Sequence, residues 1–478
     1  MGLLCWIGFV LVHNLLSIGF ALNAASDCEA FQELYSQIDR DLEVLSTAGG
    51  LNNAVINAKA VELYCQREDF KEFLICLRLE NGKLLALTPV NDKILKRYPR
   101  QALGYLFEIL EMLSKYSGDF PHSLDFVLHI SDRPKMRLSH YKAGEALPLV
   151  FGYSKADGFG EVLVPYSPWF RCFSPNLDEL LISPASGPNQ TALLDALASV
   201  PWQDRRPVAL GRQTTFCTTF KQRARDGREL PCAREHLIEV SEQTPDLLDF
   251  QAVHGVQNSV PLNDQGKYKY LVMTDGWTIR TRVEIHMLTE SVILWQGSPL
   301  YGHWYHAVKA MEHYVPFYME SEMDILDAIK WLREHDKEAE MMGRRAKDFV
   351  LKYLHRDARL CYWREVLIRS GQKMMSRSAG GHGNESYDVL RQEQEVNKSG
   401  KTSELLNSAV SPPDMLSGTA FPIKDSAASG SSLPAKFVHV TEVIQAILAE
   451  GPSMSNACKF HQGFSNVGGI LRGTNMTE

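Results

Sequence analysis

Four short strand-like runs in this chain each stop at a polar or glycine-containing turn, and that repetition limits the fold more than any other feature. Phe126 to Ile130 stops at Ser131-Asp132-Arg133-Pro134, and Val162 to Val164 stops at Pro165-Tyr166. Pro207 to Leu210 stops at Gly211-Arg212, and Tyr268 to Met273 stops at Thr274-Asp275-Gly276. After the last turn a helical segment holding Arg280, Arg282 and Glu284 leads into another strand, Ser291 to Trp295. Strands that alternate with helices predict parallel α/β architecture. Ligands of such sheets bind beyond the carboxyl ends of the strands, where this chain repeatedly puts Asp, Arg and Gly.

The flanking regions read as follows. Helical periodicity runs from Phe31 to Leu45 and from Ala102 to Tyr116, with a strand-like run from Phe73 to Leu79 between them. A capping-box spacing, Ser321 to Asp324, opens a helix with Ile325, Ile329 and Leu332 on one face, and another follows through Ala346, Phe349, Val350 and Leu354. The Pro, Ser, Gly and Asn-rich stretch from Ser174 to Gln190 marks the domain linker. The domain expectation is therefore an N-terminal α/β domain over 26–190 and a second α/β domain with C-terminal helices over 191–372. Residues 373–478 turn to Ser, Gly, Asn, Glu and Lys and read as a disordered tail, with Val438 to Glu450 as a transient helix.

The first 25 residues carry an apolar run from Leu3 to Leu22 and read as a signal peptide or, uncleaved, a signal anchor that would leave the chain attached to a membrane. Either form delivers the remainder to a lumen of the secretory pathway, endoplasmic reticulum or Golgi, or to secretion. Nine cysteines occur without a CxxC pair, so a metal knuckle has no support, and the eight beyond Cys5 permit full pairing without revealing who pairs with whom. Glycosylation patterns at Asn189, Asn384, Asn397 and Asn475 agree with a lumenal address. A net charge of −7 without a basic block argues against a nucleic-acid partner.

The order of motifs resembles glycosyltransferase family 90, which includes the Rumi-type protein O-glucosyltransferases and the capsule-associated xylosyltransferases. The resemblance runs from about Pro121 to Ser370. It rests on Leu124 to Pro134, on Pro148 to Trp169 with Glu161 where aspartate is usual, and on Lys267 to Leu271 leading to Asp275-Gly276-Trp277 and Arg282. A final succession runs through Trp304, His313-Tyr314-Val315-Pro316, Trp331-Leu332, His335-Asp336 and Cys361-Tyr362-Trp363. The resemblance implies a GT-B fold, two Rossmann-like domains facing across a cleft, and a nucleotide-sugar donor without cofactor or obligatory metal. It implies an inverting transfer of glucose or xylose from a UDP-sugar to a protein Ser/Thr hydroxyl or a glycan hydroxyl. Asp132 falls on the catalytic base, while Arg212, Arg234, Asp275, Gly276, Trp277 and Arg282 fall on the donor side.

One stretch departs from the family pattern. An aromatic-Arg-Gly-Ser stretch is replaced by Ala209-Leu210-Gly211-Arg212-Gln213-Thr214, which displaces the arginine by two positions. That departure motivates the rival reading, a non-catalytic glycan- or protein-binding member of the fold.

The chemistry suits the residue types. A carboxylate takes the proton of an attacking hydroxyl, and guanidinium forks match diphosphate oxygens. Each residue also has an ordinary reading: Asp132 as a turn residue, Arg282 as a solvated helix charge, Lys267 and Lys269 as strand-edge lysines. Asp39-Arg40-Asp41 spells a metal-binding DxD, but within a helix side chains two apart diverge, so it reads as a solvated face. His303, His306 and His313 lack zinc spacing and read as core or supporting residues.

Overall fold

In a computed structural model, the described residues are 28–48, 53–66, 73–88, 90–91, 94, 99–116, 120–166, 188–380 and 436–450. The expected signal segment lies outside them, as does the predicted linker except for its last residues, which open the helix Pro188–Leu197.

The chain begins with helices α1 (Ser36–Thr47) and α2 (Ala54–Cys65), then strands β1 (Leu74–Glu80) and β2 (Lys83–Thr88). Helix α3 (Pro99–Lys115) and strands β3 (Ser123–His129), β4 (Val150–Gly152) and β5 (Val162–Leu163) follow. Ile38, Leu42 and Leu45 recur at helical spacing and are buried, which fixes the inner face of α1. The Asn53 side chain accepts the Ile56 amide at 2.9 Å and caps α2. Asn81 and Gly82, at φ 48° and 76°, form the two-residue turn between β1 and β2, where positive φ matches the twist of the hairpin.

The second half contributes β6 (Arg206–Gln213), α4 (Ala233–Gln243), β7 (Leu248–Ala252), β8 (Tyr268–Met273), α5 (Val283–Met287), β9 (Val292–Gln296) and β10 (Tyr314–Phe317). Helices α6 (Asp324–Glu334), α7 (Asp336–Tyr353) and α8 (Arg356–Gly380) come next, and then β11 (Lys436–His439) and α9 (Val440–Glu450). Helix α6 starts at Asp324, three residues after the expected cap. The Asp324 carboxylate gathers the amides of Tyr318, Met319 and Glu320.

Two sheets result. The later one, ordered β10-β9-β8-β6-β7, is parallel throughout, as the alternating pattern predicts. Its β8 and β9 are buried along their whole lengths, and apolar clusters cover both faces. The earlier one, ordered β11-β2-β1-β3-β4-β5, is mixed: β1 is antiparallel to β2 and β3, whereas β3, β4 and β5 are parallel. The tail expectation needs correction over 373–380, where helix α8 continues, and over 436–450. Strand β11 pairs with the edge of β2, and Val440, Val443, Ile444 and Ile447 of α9 are buried, so apolar burial fixes a helix expected to be transient.

One apolar cluster includes residues of both sheets, among them Phe126 and Val127 of β3 and Leu271 and Met273 of β8. Helix α8 returns the chain to the first half. Arg359 pairs with buried Glu108 of α3 at 2.9 Å, and Cys361 is disulfide-bonded to Cys28. The other disulfides among the described residues are Cys65–Cys76 and Cys217–Cys232; Cys5, Cys172 and Cys458 lie outside those residues.

Candidate functional site

Asp132 follows β3 and is exposed to solvent. The Tyr153 phenol, just beyond β4, donates to its Oδ1 at 2.7 Å. Burial, and then the Asp132 charge, pushes that phenol well above its ordinary value, so it remains a donor. The loop after Asp132 is held from below by buried Glu161, whose carboxylate accepts the amides of Lys135 and Met136. Burial raises the Glu161 carboxyl above the ordinary range despite those bonds.

Behind this loop Lys155 pairs with Asp41 at 2.6 Å and donates to the Glu161 carbonyl at 3.0 Å. Asp41 also accepts the Leu163 amide at 2.8 Å and is 1% exposed. The expected solvated face therefore holds for Asp39, which pairs with Arg369 at the surface, and for exposed Arg40; Asp41 points into the core because Lys155 and two further donors satisfy it.

Across from β3, the ends of β6 and β8 and the start of α4 form a second cluster. Arg234 donates to the Thr214 carbonyl at 2.8 Å and to the Thr274 hydroxyl and carbonyl, each at 3.1 Å. Burial pulls its pKa down to about 10, and nearby Arg282 adds to that while Asp275 opposes it. A Cβ at Gly276 would stand 2.9 Å from the Arg234 Nη2, so only glycine lets the backbone lie against this guanidinium. The Asp275 carboxylate accepts from the Ser298 hydroxyl, and its amide donates to Gln296 at 3.0 Å. Burial raises Asp275 to about 7, against the opposing pull of Ser298 and Arg234.

Arg282 is exposed and caps α5, and Trp277 is 46% exposed, its ring 4.8 Å from that of Phe216, itself 52% exposed. These residues meet the Asp132 side through three contacts. The Ser154 and Thr278 hydroxyls lie 2.6 Å apart, the Arg133 guanidinium sits 5.6 Å over the Trp277 ring, and Lys155 and Tyr301 exchange backbone hydrogen bonds.

Of the residues expected to act together, the structure thus brings Arg234, Asp275, Gly276, Trp277 and Arg282 into one neighbourhood beside Asp132. Arg212 is engaged elsewhere. Its Nη2 donates to both carboxylate oxygens of Asp249 on β7, at 2.8 Å each, and its Nη1 to the Gly211 and Asp249 carbonyls. The adjacent Gln213 turns the other way, donating to the Val272 carbonyl at 2.8 Å and accepting from Thr274 at 2.6 Å.

Sequence reasoning missed Tyr153, Thr278, Gln213 and Arg280, whose Nη1 donates to the Gln213 side-chain Oε1 at 3.4 Å. Arg280 had a signal, since it stands in the same strand-end segment as Arg282. Tyr153 had none, because its partner lies 21 residues away. Among the histidines, His303 is buried against the Tyr362 ring and driven down to about 3, while His306 faces the Glu33 carbonyl at 3.1 Å. Cys217 and Cys232, which lie beside Glu235, are joined to each other and offer no thiolate to a metal.

An exposed carboxylate set against buried and exposed arginines at strand ends defines an α/β protein equipped to hold an anionic ligand beside a proton acceptor. The chain belongs to glycosyl transferase family 90, whose model matches residues 93–422. It is 32% identical over 166 residues to human protein O-glucosyltransferase 3, which is 32% of each chain. It is 25% identical over 274 residues to an O-glucosyltransferase rumi homolog of Aedes aegypti, covering 53% of this chain and 63% of the relative. Protein O-glucosyltransferase 1 of the rat is 22% identical over 290 residues, or 56% of this chain and 66% of the relative. The match thus spans about a third of the human relative's length.

Proposed function

We propose that this protein is an inverting glycosyltransferase of GT-B type that moves glucose or xylose from a UDP-sugar to a hydroxyl of a protein or glycan. The observation that carries the reading is the pairing of an exposed Asp132 with the arginine cluster across the Ser154–Thr278 contact. In the reaction the acceptor oxygen attacks the anomeric carbon from the face opposite the diphosphate, and Asp132 takes the acceptor proton. The bond from the anomeric carbon to the diphosphate breaks, and its electron pair leaves with UDP.

Arg234 and Arg282 offset the growing diphosphate charge, with Arg280 beside them, and Trp277 with Phe216 walls the sugar side. Arg212 contributes indirectly, by fixing β7 to β6. Three disulfides among the described residues and the matched O-glucosyltransferases support a lumenal address in the endoplasmic reticulum or Golgi.

The protein incubated with UDP-glucose or UDP-xylose and a panel of peptide and glycan acceptors should release UDP, and Asp132→Asn should do so far more slowly. Undiminished transfer by the variant would remove Asp132 as base. The Arg212–Asp249 pair favours the second reading, a binding protein that lost donor chemistry; calorimetry that detects no UDP binding by folded protein selects it.

A further inference from the structure

The hydrogen-bond pattern around Asp132 is asymmetric. Its Oδ1 accepts from Tyr153 at 2.7 Å, while the carboxylate as a whole stays exposed to solvent. An exposed aspartate on a bend has several side-chain rotamers of similar energy, and only some of them aim the carboxylate at a given substrate atom. The phenol that selects among them is itself fixed. Tyr153 is 3% exposed, its ring lies 4.9 Å from that of Tyr166, and it directly follows β4, which is paired on both sides in the sheet.

The next two residues are fixed as well. Ser154 reaches the Asp132 carbonyl at 3.4 Å and the Thr278 hydroxyl at 2.6 Å, and Lys155 is locked to Tyr301 and Asp41. Three consecutive residues therefore refer the base to the donor-side segment and to the core.

We propose that Tyr153 is a positioning residue for the base: its hydroxyl holds the Asp132 carboxylate in the one orientation that leaves Oδ2 directed at the acceptor hydroxyl. The inference rests on the reading of Asp132 as general base. Tyr153 does not touch the reacting atoms and acts through Asp132 alone. Its hydroxyl is bonded to that carboxylate, and its ring, which a phenylalanine would reproduce, supplies the packing.

A double-mutant cycle with Tyr153→Phe, Asp132→Asn and the double variant tests this, with kcat, KM and UDP affinity measured for each. Tyr153→Phe should lower kcat about ten- to a hundredfold, the scale of loss that misplacing a catalytic group produces. KM for the donor and the UDP affinity should stay at the wild-type values. The double variant should be no slower than Asp132→Asn alone, because the hydroxyl has nothing left to position.

A wild-type kcat in Tyr153→Phe overturns the assignment, and so does additivity of the two losses. Loss of UDP binding or of a cooperative melt in Tyr153→Phe overturns it in favour of a packing role. Transfer that survives in Asp132→Asn defeats the general-base reading itself, a result separable from the other three because it appears in a variant that keeps Tyr153.

Discussion

Asp132 and Asp275 are the same residue type in the same kind of place, each just past the end of a strand in a sheet with parallel neighbours, yet they have opposite surroundings. Asp132 is open to solvent, and among the described residues its carboxylate accepts from one side chain, Tyr153. Asp275 is 5% exposed and lies among Ser298, Arg234 and the Arg280 amide. Strand-end position makes both candidates for chemistry; environment assigns them different work. An accessible carboxylate can meet a substrate hydroxyl, whereas a buried one organises the cations around it.

The largest expected effect breaks the pair apart at Asp132. Asp132→Asn keeps an oxygen to accept from Tyr153, so the fold should survive, while kcat should fall by a factor of about 10²–10⁴, the usual worth of a general base. Thermal melting and UDP-release assays on the same preparation check both halves. A variant that melts early would put Asp132 with the structural residues, beside Asp275.

Next in size is Gly276→Ala. The added methyl would stand 2.9 Å from the Arg234 Nη2 and 3.1 Å from its Nη1, so the guanidinium must move off Thr214 or Thr274. UDP affinity should drop about tenfold, the loss of one charge-assisted contact, and titration calorimetry reads it directly. Unchanged affinity would separate Arg234 from the donor.

Asp275 itself should report through stability. Its folded pKa, about 7, lies above the ordinary carboxylate value, so the folded protein holds a proton that the unfolded chain gives up. That contribution is fully present below the unfolded value and is lost as pH rises from about 4 to about 7. The slope amounts to roughly 4 kcal/mol across the window. Asp275→Asn should flatten it relative to wild type in denaturant titrations at a series of pH values; an identical slope would show that Asp275 is charged throughout.

The same contrast shows where sequence reading works and where it stops. The parallel sheet was legible because strands such as Val292 to Trp295 are buried on both faces and so appear as unbroken apolar runs. The mixed sheet was harder. Its β1–β2 hairpin has a local signal, Asn81-Gly82, but β11 pairs with β2 across 348 residues, and no local pattern specifies such a partner. Asp132 and Arg234 stood out through strand ends and family motifs. Tyr153, Gln213 and the burial of Asp41 did not, because each is defined by a contact between distant parts of the chain.

Arg212 gives the smallest expected effect on ligand binding and the finest test of the comparison. By spacing alone it is another strand-end cation, equal to Arg234. In the fold its Nη2 is held by both Asp249 carboxylate oxygens, with the Asp249 carbonyl accepting from Nη1 at 2.7 Å, and only 9% of the side chain is exposed. A guanidinium held in this way, with Nη2 shared between the two Asp249 oxygens, would have to give up that ion pair before meeting a phosphate. Arg212→Ala should therefore leave UDP affinity within about threefold of wild type, well under the 1.4 kcal/mol that a tenfold change represents. Its cost should fall on stability, about 1–3 kcal/mol, because Asp249 loses its ion pair and keeps the neutral Gln251 contact at 3.2 Å. Combining the substitution with Asp249→Ala should return part of that loss, since the stranded carboxylate is then gone. A tenfold or larger fall in UDP affinity would instead show that the pair opens when donor binds. Arg212 would then belong with Arg234, and the displaced arginine of the 209–214 stretch would still serve the diphosphate.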